Sequence, residues 1–345
     1  MASNTSISLI RYWLAERCKE STVKVYFLPS YKSSAPSTRM RCYKVAAFFR
    51  SQNQPTEVLS HDLSIPDKHK ALSIISSGDI LYVQKWRTDF NSAEHVGQYK
   101  GKCKIVFDMD DFDGDKKIKD LIDISDALVV GNHYLYNLYN NGTKPIFLVP
   151  SAVDSHEYPE FVKEGQLSIS MAKCGMGAAV NRLVKIKDIL FRLKEKHDFR
   201  LVLAGFNDKD DEKKAKEMFP FAQCTHLRTY DNYLLYTVPL LQETTLGILP
   251  FSRKDEGKSG HSALASLAMG TPCIAAPYAE CNHIIQDGVN GFLASTPEEW
   301  YTKIDQLLCD PVLRMKFREA GWNTIDSKYD VQVIGKMLLG HLKKL

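Results

Sequence analysis

The chain has 345 residues, enough for about two domains at roughly 150 residues each. With 44% hydrophobic and 25% charged residues it has an ordinary globular composition, so each half can build its own core. A formal net charge of only +4 argues against nucleic acid as a main partner, although local basic patches can still hold phosphates or lean on an anionic membrane surface.

The first apolar stretch, residues 7–14, is short and broken by Arg11, so it does not read as a secretory signal. No run of about 18 apolar residues follows anywhere that would span a bilayer. The expectation is a cytoplasmic chain, with peripheral contact at the inner membrane face as the nearest it comes to a bilayer. Short runs dense in Val, Ile, Leu and Phe then recur at 23–29, 56–61, 79–85, 104–109, 127–132 and 146–151. They are continuous rather than alternating, the pattern of strands covered on both faces. Helical stretches fit between them at 43–52, 67–77, 118–125 and 134–140.

The polar segment 153–166, with Pro159 and Gly165, reads as a boundary. A second series follows, with strands at 167–172, 199–205, 224–230, 245–251, 273–277 and 291–294. Helices are expected at 179–196, 209–218, 262–269 and 298–308. Two such βα series predict two doubly wound parallel sheets: an α/β chain with domains at 1–160 and 161–330, and a C-terminal helix at 331–345 that can pack on either. Ligands of open α/β sheets bind beyond the carboxyl ends of the strands, so the residues that follow each strand matter most. The eight cysteines include no CxxC pair and no Cys/His cluster with zinc spacing, which favours buried free thiols in a reducing compartment.

In the first half, the loop KSSAPSTRMR places Arg39 and Arg41 after the first strand, either gripping an acceptor or a phosphate or standing as solvated charges. Asp108, Asp110 and Asp111 end the fourth strand run. They read as catalytic or acceptor-positioning carboxylates, as a metal site, or as a helix cap. His133 follows another strand and points either into the cleft or into the structure. In the second half, Gly175 and Gly177 precede a helix, where a Gly-x-Gly admits a diphosphate or merely makes a tight turn. The strand at 245–251 runs into Arg253, Lys254, Gly257, Lys258, Ser259 and Gly260, and a helix starts near His261 or Ser262, with Ser262 as a candidate cap. Free amides at a helix start beside a lysine suit a phosphate; the plain alternative is a flexible basic loop before a core helix.

The segment from Gly257 to Ala294, GKSGHSALASLAMGTPCIAAPYAECNHIIQDGVNGFLA, closely resembles the donor-binding segment of the GT-B glycosyltransferases grouped as family four. The matching pieces are Gly257-Lys258, the turn Ala268-Met269-Gly270-Thr271-Pro272, and Asp287-Gly288-Val289-Asn290-Gly291-Phe292-Leu293. PEEW at 297–300 and LLCDPVLRMKFREAG at 307–321 also look like the family, and SAPSTRMRCY, KIVFDMDD, DALVVGNHYLYNLY and FLVPSAVDSHEY extend the likeness into the first half. The resemblance implies a GT-B fold of two facing Rossmann-like domains and transfer of a sugar, with retention, to a glycan, lipid-linked or glycoprotein acceptor. It also implies a nucleotide-diphosphate sugar as co-substrate and no required metal or other cofactor. It implies a donor site at Lys258, Ser259, Gly260, His261 and Ser262, with Glu280, Cys281 and Asn282 near the sugar, and an acceptor role for Asp110 or Asp111. Two departures stand out. Ala265 occupies the place of the family's ribose-binding carboxylate, and Lys173, Arg182 and Lys185 match poorly the Arg and Lys that follow the first strand of the second domain. Ala265 keeps two rivals in view: a non-catalytic GT-B-like partner of a transferase, and a nucleotide-sugar epimerase on the same fold.

Overall fold

The computed structural model describes residues 23–112, 114, 116–158, 165–172, 176–226 and 238–345. In the first half lie β1 (Val25–Leu28), β2 (Thr56–Val58), β3 (Ile80–Gln84), β4 (Lys104–Met109), β5 (Ala127–Val130) and β6 (Ile146–Leu148). The second half holds β7 (Ser168–Ala172), β8 (Arg200–Phe206), β9 (Ala222–His226), β10 (Leu246–Leu249), β11 (Cys273–Ala275) and β12 (Phe292–Leu293). They form two six-stranded sheets, ordered β2-β1-β3-β4-β5-β6 and β12-β11-β10-β7-β8-β9. Every pairing is parallel. The expected strand at 224–230 begins two residues early, and 227–230 lie outside the described residues.

The continuous apolar runs follow from coverage on both faces. In the first sheet Val25, Phe27, Ile80, Tyr82, Val106 and Val129 enter one apolar core. Their neighbours Tyr26, Leu28, Leu81, Val83, Ile105, Phe107 and Leu128 enter the other. Alternate residues point to opposite faces, and both faces are dry. Burying each such side chain contributes roughly 1.5–3 kcal/mol, so neither face tolerates a polar substitution cheaply.

The domains join at two adjacent chain crossings. Val149 and Ala152 belong to the first domain's core, Val153 and Tyr158 to the second's. Val153 pairs in parallel with Asp330, and the C-terminal helix Val331–Leu342 then packs Ile334, Leu338 and Leu342 into the first domain's core. Gly335 permits this: a Cβ there would meet Phe48 Cδ1 at 2.4 Å.

Two local expectations change. The stretch around 34–43 is no loop: Pro36 opens a helix (Pro36–Thr38) that runs through a π-helical segment, Arg39–Lys44, into Val45–Ser51. Proline suits the first turn, where its missing N–H is not needed, and Met40, Val45, Ala46 and Phe49 bury one face. Ser262 does not cap the helix at His261–Ala268; Gly260 does, at φ 66°. A Cβ there would lie 2.7 Å from the Ala279 carbonyl oxygen, so only glycine fits both the left-handed backbone and the space.

Candidate active site

The first domain's wall is built at the end of β4. Asp108 is fully buried, and Arg41 Nε donates to its Oδ1 and Oδ2 at 3.1 and 2.9 Å, while Arg41 Nη1 donates to the Val149 carbonyl at 3.1 Å. Arg41 is therefore a buried strut that ties a helix to β4 and the start of the linker, not a contact for acceptor or phosphate at the cleft mouth. Arg39 also has a carboxylate: its Nε donates to Glu157 Oε1 at 2.9 Å, which turns it toward the linker. Lys44 reinforces that corner, with its ammonium 2.8 Å from Glu157.

Beyond Asp108 the chain turns Asp110 and Asp111 toward the second domain. Lys85, just past β3, takes a left-handed φ of 52° and sets its ammonium 2.5 Å from Asp110 Oδ1 and 3.9 Å from Asp111 Oδ2. Burial opposes ionisation of Asp110, but the charges of Lys85 and Arg41 outweigh it and hold its pKa below the ordinary value. Burial and the charge of Asp110 together push Asp111 the other way. The two adjacent carboxylates are thus shifted in opposite directions by their surroundings.

The second domain's wall starts after β10. Ser252 and Asp255 form a reciprocal capping box that closes the turn Arg253–Asp255. Arg182 Nη2 donates to Asp255 Oδ1 at 2.6 Å, and the guanidinium lies 4.9 Å from the Phe251 ring. Its Nη1 is buried without a hydrogen-bond partner. The chain then passes Gly257, Lys258 and Ser259 into the helix that begins at His261, whose first turn has no side-chain cap. Uncapped amides, the positive end of the helix dipole and the half-exposed Lys258 make a corner suited to an anion. Burial pushes the His261 imidazole below its ordinary pKa, opposed by Asp110 across the gap.

The two walls touch. The Ser259 N–H donates to Asp111 Oδ1 at 3.0 Å, and Lys258 Nζ lies 4.0 Å from Asp111 Oδ2. The Phe112 N–H and Asn132 Nδ2 donate to the Gly257 carbonyl at 2.9 and 3.2 Å. A little further along, the His133 N–H donates to Glu280 Oε2 at 3.0 Å. The corner therefore faces the other domain, and a carboxylate of that domain occupies one of its amides.

The structure brings Asp110, Asp111, Lys258, Ser259, Gly260, His261, Ser262, His133 and Glu280 to one side of this junction. Others fall away from it. Arg253 is exposed and pairs with Glu256 at 3.8 Å, and Asn282 is exposed on the short helix Cys281–Ile284. Gly175 lies outside the described residues, and Gly177 sits within the helix Met176–Val180. Ala265 is only 6% exposed and packs in the second domain's core. Lys85 was not singled out by sequence, and Arg182 was named only as a poor match to the family's arginine. The positive φ of the one and the free N–H of the other are visible only once the chain is folded.

Residues 179–310 match the family model described as glycosyl transferases group 1. No curated protein matches the chain in sequence. Among solved structures, a glycosyltransferase from Rickettsia africae ESF-5 superposes with a TM-score of 0.71 at 13% identity, over 94% of this chain and 98% of that one. Anabaena Alr3699/HepE in complex with UDP gives a TM-score of 0.64 at 12% identity, over 94% and 100%. S. aureus TarM, in a complex that includes UDP, gives 0.61 at 14% identity, over 81% of this chain and 58% of that one. Two facing parallel-sheet domains with a cleft between the carboxyl ends of their strands define a GT-B fold. Residues 179–310 carry the group 1 glycosyl transferase match, and the chain as a whole has the GT-B fold. Among the described residues, no helix is long and apolar enough to cross a membrane.

Proposed function

We propose that the chain transfers a sugar from a nucleoside diphosphate sugar to an acceptor hydroxyl, with the diphosphate on the amides from Ser259 to Ser262 and on Lys258. The observation that carries this reading is the contact between Asp111 and the Ser259 N–H at 3.0 Å, which puts an acceptor-side carboxylate against the anion corner. Negative charge grows on the leaving diphosphate as the glycosidic bond breaks. Fixed amides and an ammonium aimed at it stabilise that charge without reorganising. Asp110, held ionised by Lys85, orients the acceptor, and Asp111 takes its proton.

UDP in the structures of Alr3699/HepE and TarM supports uracil as the first base to try. The resemblance to family four supports retention, and a glycan, a lipid-linked sugar or a glycoprotein as acceptor class. Two structural features shape donor entry. Asp111 must leave the Ser259 amide before a phosphate can take it. The ribose finds an alanine, not a carboxylate, at position 265. Lys258→Ala tests the reading: nucleoside diphosphate binding by calorimetry and transfer from a panel of donors should each fall at least about tenfold, the scale of one lost charged hydrogen bond. Unchanged binding and turnover would remove the assignment.

A further inference from the structure

We propose that His133, Glu280 and His283 form a site for one divalent transition-metal ion, zinc first among them, that clasps the two domains across the cleft. One nitrogen from each imidazole and one oxygen of Glu280 all lie within 4.8 Å of one another. The first domain supplies His133, at the start of the helix His133–Tyr139. The second supplies Glu280 and His283 from the loop and short helix after β11.

Three features point to a ligand here rather than to a plain interdomain hydrogen bond. Glu280 is only 7% exposed, and its ion pair is with His133, so no permanent cation has claimed the carboxylate. Ala279 and Glu280 both hold left-handed backbones, at φ 53° and 65°. Non-glycine residues keep such conformations only where the surroundings impose them, and they gather at functional sites. The donor set of two imidazoles and one carboxylate suits zinc, cobalt or nickel, whereas magnesium and calcium prefer oxygen ligands throughout.

In the present arrangement the two imidazoles stack, with centroids 3.6 Å apart and planes 12° from parallel, and His133 Nδ1 lies 2.5 Å from Glu280 Oε1. The ion enters where His133 Nδ1 and Glu280 Oε1 now meet through a proton. That proton leaves for solvent, nitrogen and oxygen lone pairs bond the ion, and water leaves its coordination shell. The exposed His283 ring turns about its side-chain torsions to supply the third ligand, and solvent fills the remaining position.

A second His/Asp/Cys cluster shows what a spent site looks like. His197, Asp305 and Cys309 are similarly close, but Lys196 Nζ lies 2.8 Å from both Asp305 oxygens and already neutralises that carboxylate. Because the His133 site draws on both domains, an ion bound there favours the arrangement in which they meet.

The test is calorimetric titration of the full chain with zinc chloride in a non-chelating buffer. One saturable site is expected, with affinity at least about tenfold lower in His283→Ala and also in His133→Ala, and unchanged in His197→Ala. His283 is exposed, so its variant should melt without metal as the parent does, which separates ligand loss from misfolding. Absence of saturable binding would overturn the proposal, as would full affinity in His283→Ala or loss of affinity in His197→Ala. Loss in His283→Ala with full affinity in His133→Ala would overturn the claim that the ion spans the domains.

Discussion

Asp111 of the first domain accepts the Ser259 N–H of the second at 3.0 Å, at the corner where the helix dipole and Lys258 also favour an anion. The carboxylate occupies part of the place that a phosphate would take. With the diphosphate on the proposed site, donor binding and release of this side chain would be one event. Removing its charge should separate the two roles assigned to it. In Asp111→Asn, nucleoside diphosphates should bind up to about fivefold tighter, the worth of one partly exposed charge pair, while transfer slows. Calorimetry and initial rates check the split. Weaker diphosphate binding in the variant would mean that Asp111 serves the donor instead.

The close approach of the walls depends on Gly257. A Cβ at that position would lie 2.5 Å from Phe112 Cβ, closer than the two atoms can come. Gly257→Ala should hold the domains apart and lower turnover by between about tenfold and 100-fold, as expected from a reacting group displaced by about an ångström. Phe112→Gly in the same chain, which removes the Cβ it would strike, should recover much of the loss. Small-angle scattering should show the single variant as the more open molecule. Full activity in Gly257→Ala would show that this contact plays no part in the productive form.

Asp110 and Asp111 titrate as a pair, and the pH profile should carry their signature. Burial and the Asp110 charge raise Asp111 above its ordinary pKa, so a base at this position gains activity as pH climbs through that raised value. Asp110→Asn removes the neighbouring negative charge and leaves Lys85 nearer to Asp111 alone. Both changes lower the Asp111 pKa, and the acid limb of kcat/KM should move to lower pH even as the maximum falls. An acid limb that stays in place would mean that a different group titrates there.

Arg41 should behave as structure. Arg41→Ala leaves Asp108 buried with its charge unpaired, and breaking such a pair costs about 3–5 kcal/mol. Denaturant unfolding should show the loss, whereas donor KM in the protein that remains folded should be near the parent's. A stable variant with a raised donor KM would return Arg41 to the binding site.

The strands were legible in sequence because sheets covered on both faces leave unbroken apolar runs, as VYFL and ALVV do here. The helix start after Lys258 was legible because its signals are local: glycines and a helix onset fall within a few residues. What escaped was non-local. Arg41 read as an acceptor or phosphate contact, or else a loop charge, because its partner Asp108 is 67 residues away and Pro36 reads as readily as a loop residue as a helix opener. The pairing of His133 with Glu280 joins residues 147 apart. Lys85 carries its meaning in a backbone angle and in Asp110, neither of which is written near it.

A crystal of the full chain soaked with UDP tests the central claim most directly. The account predicts the diphosphate on the amides of residues 259–262, Lys258 within hydrogen-bond reach of it, and Asp111 released from Ser259. A diphosphate bound elsewhere, with Asp111 still on the Ser259 N–H, would contradict it.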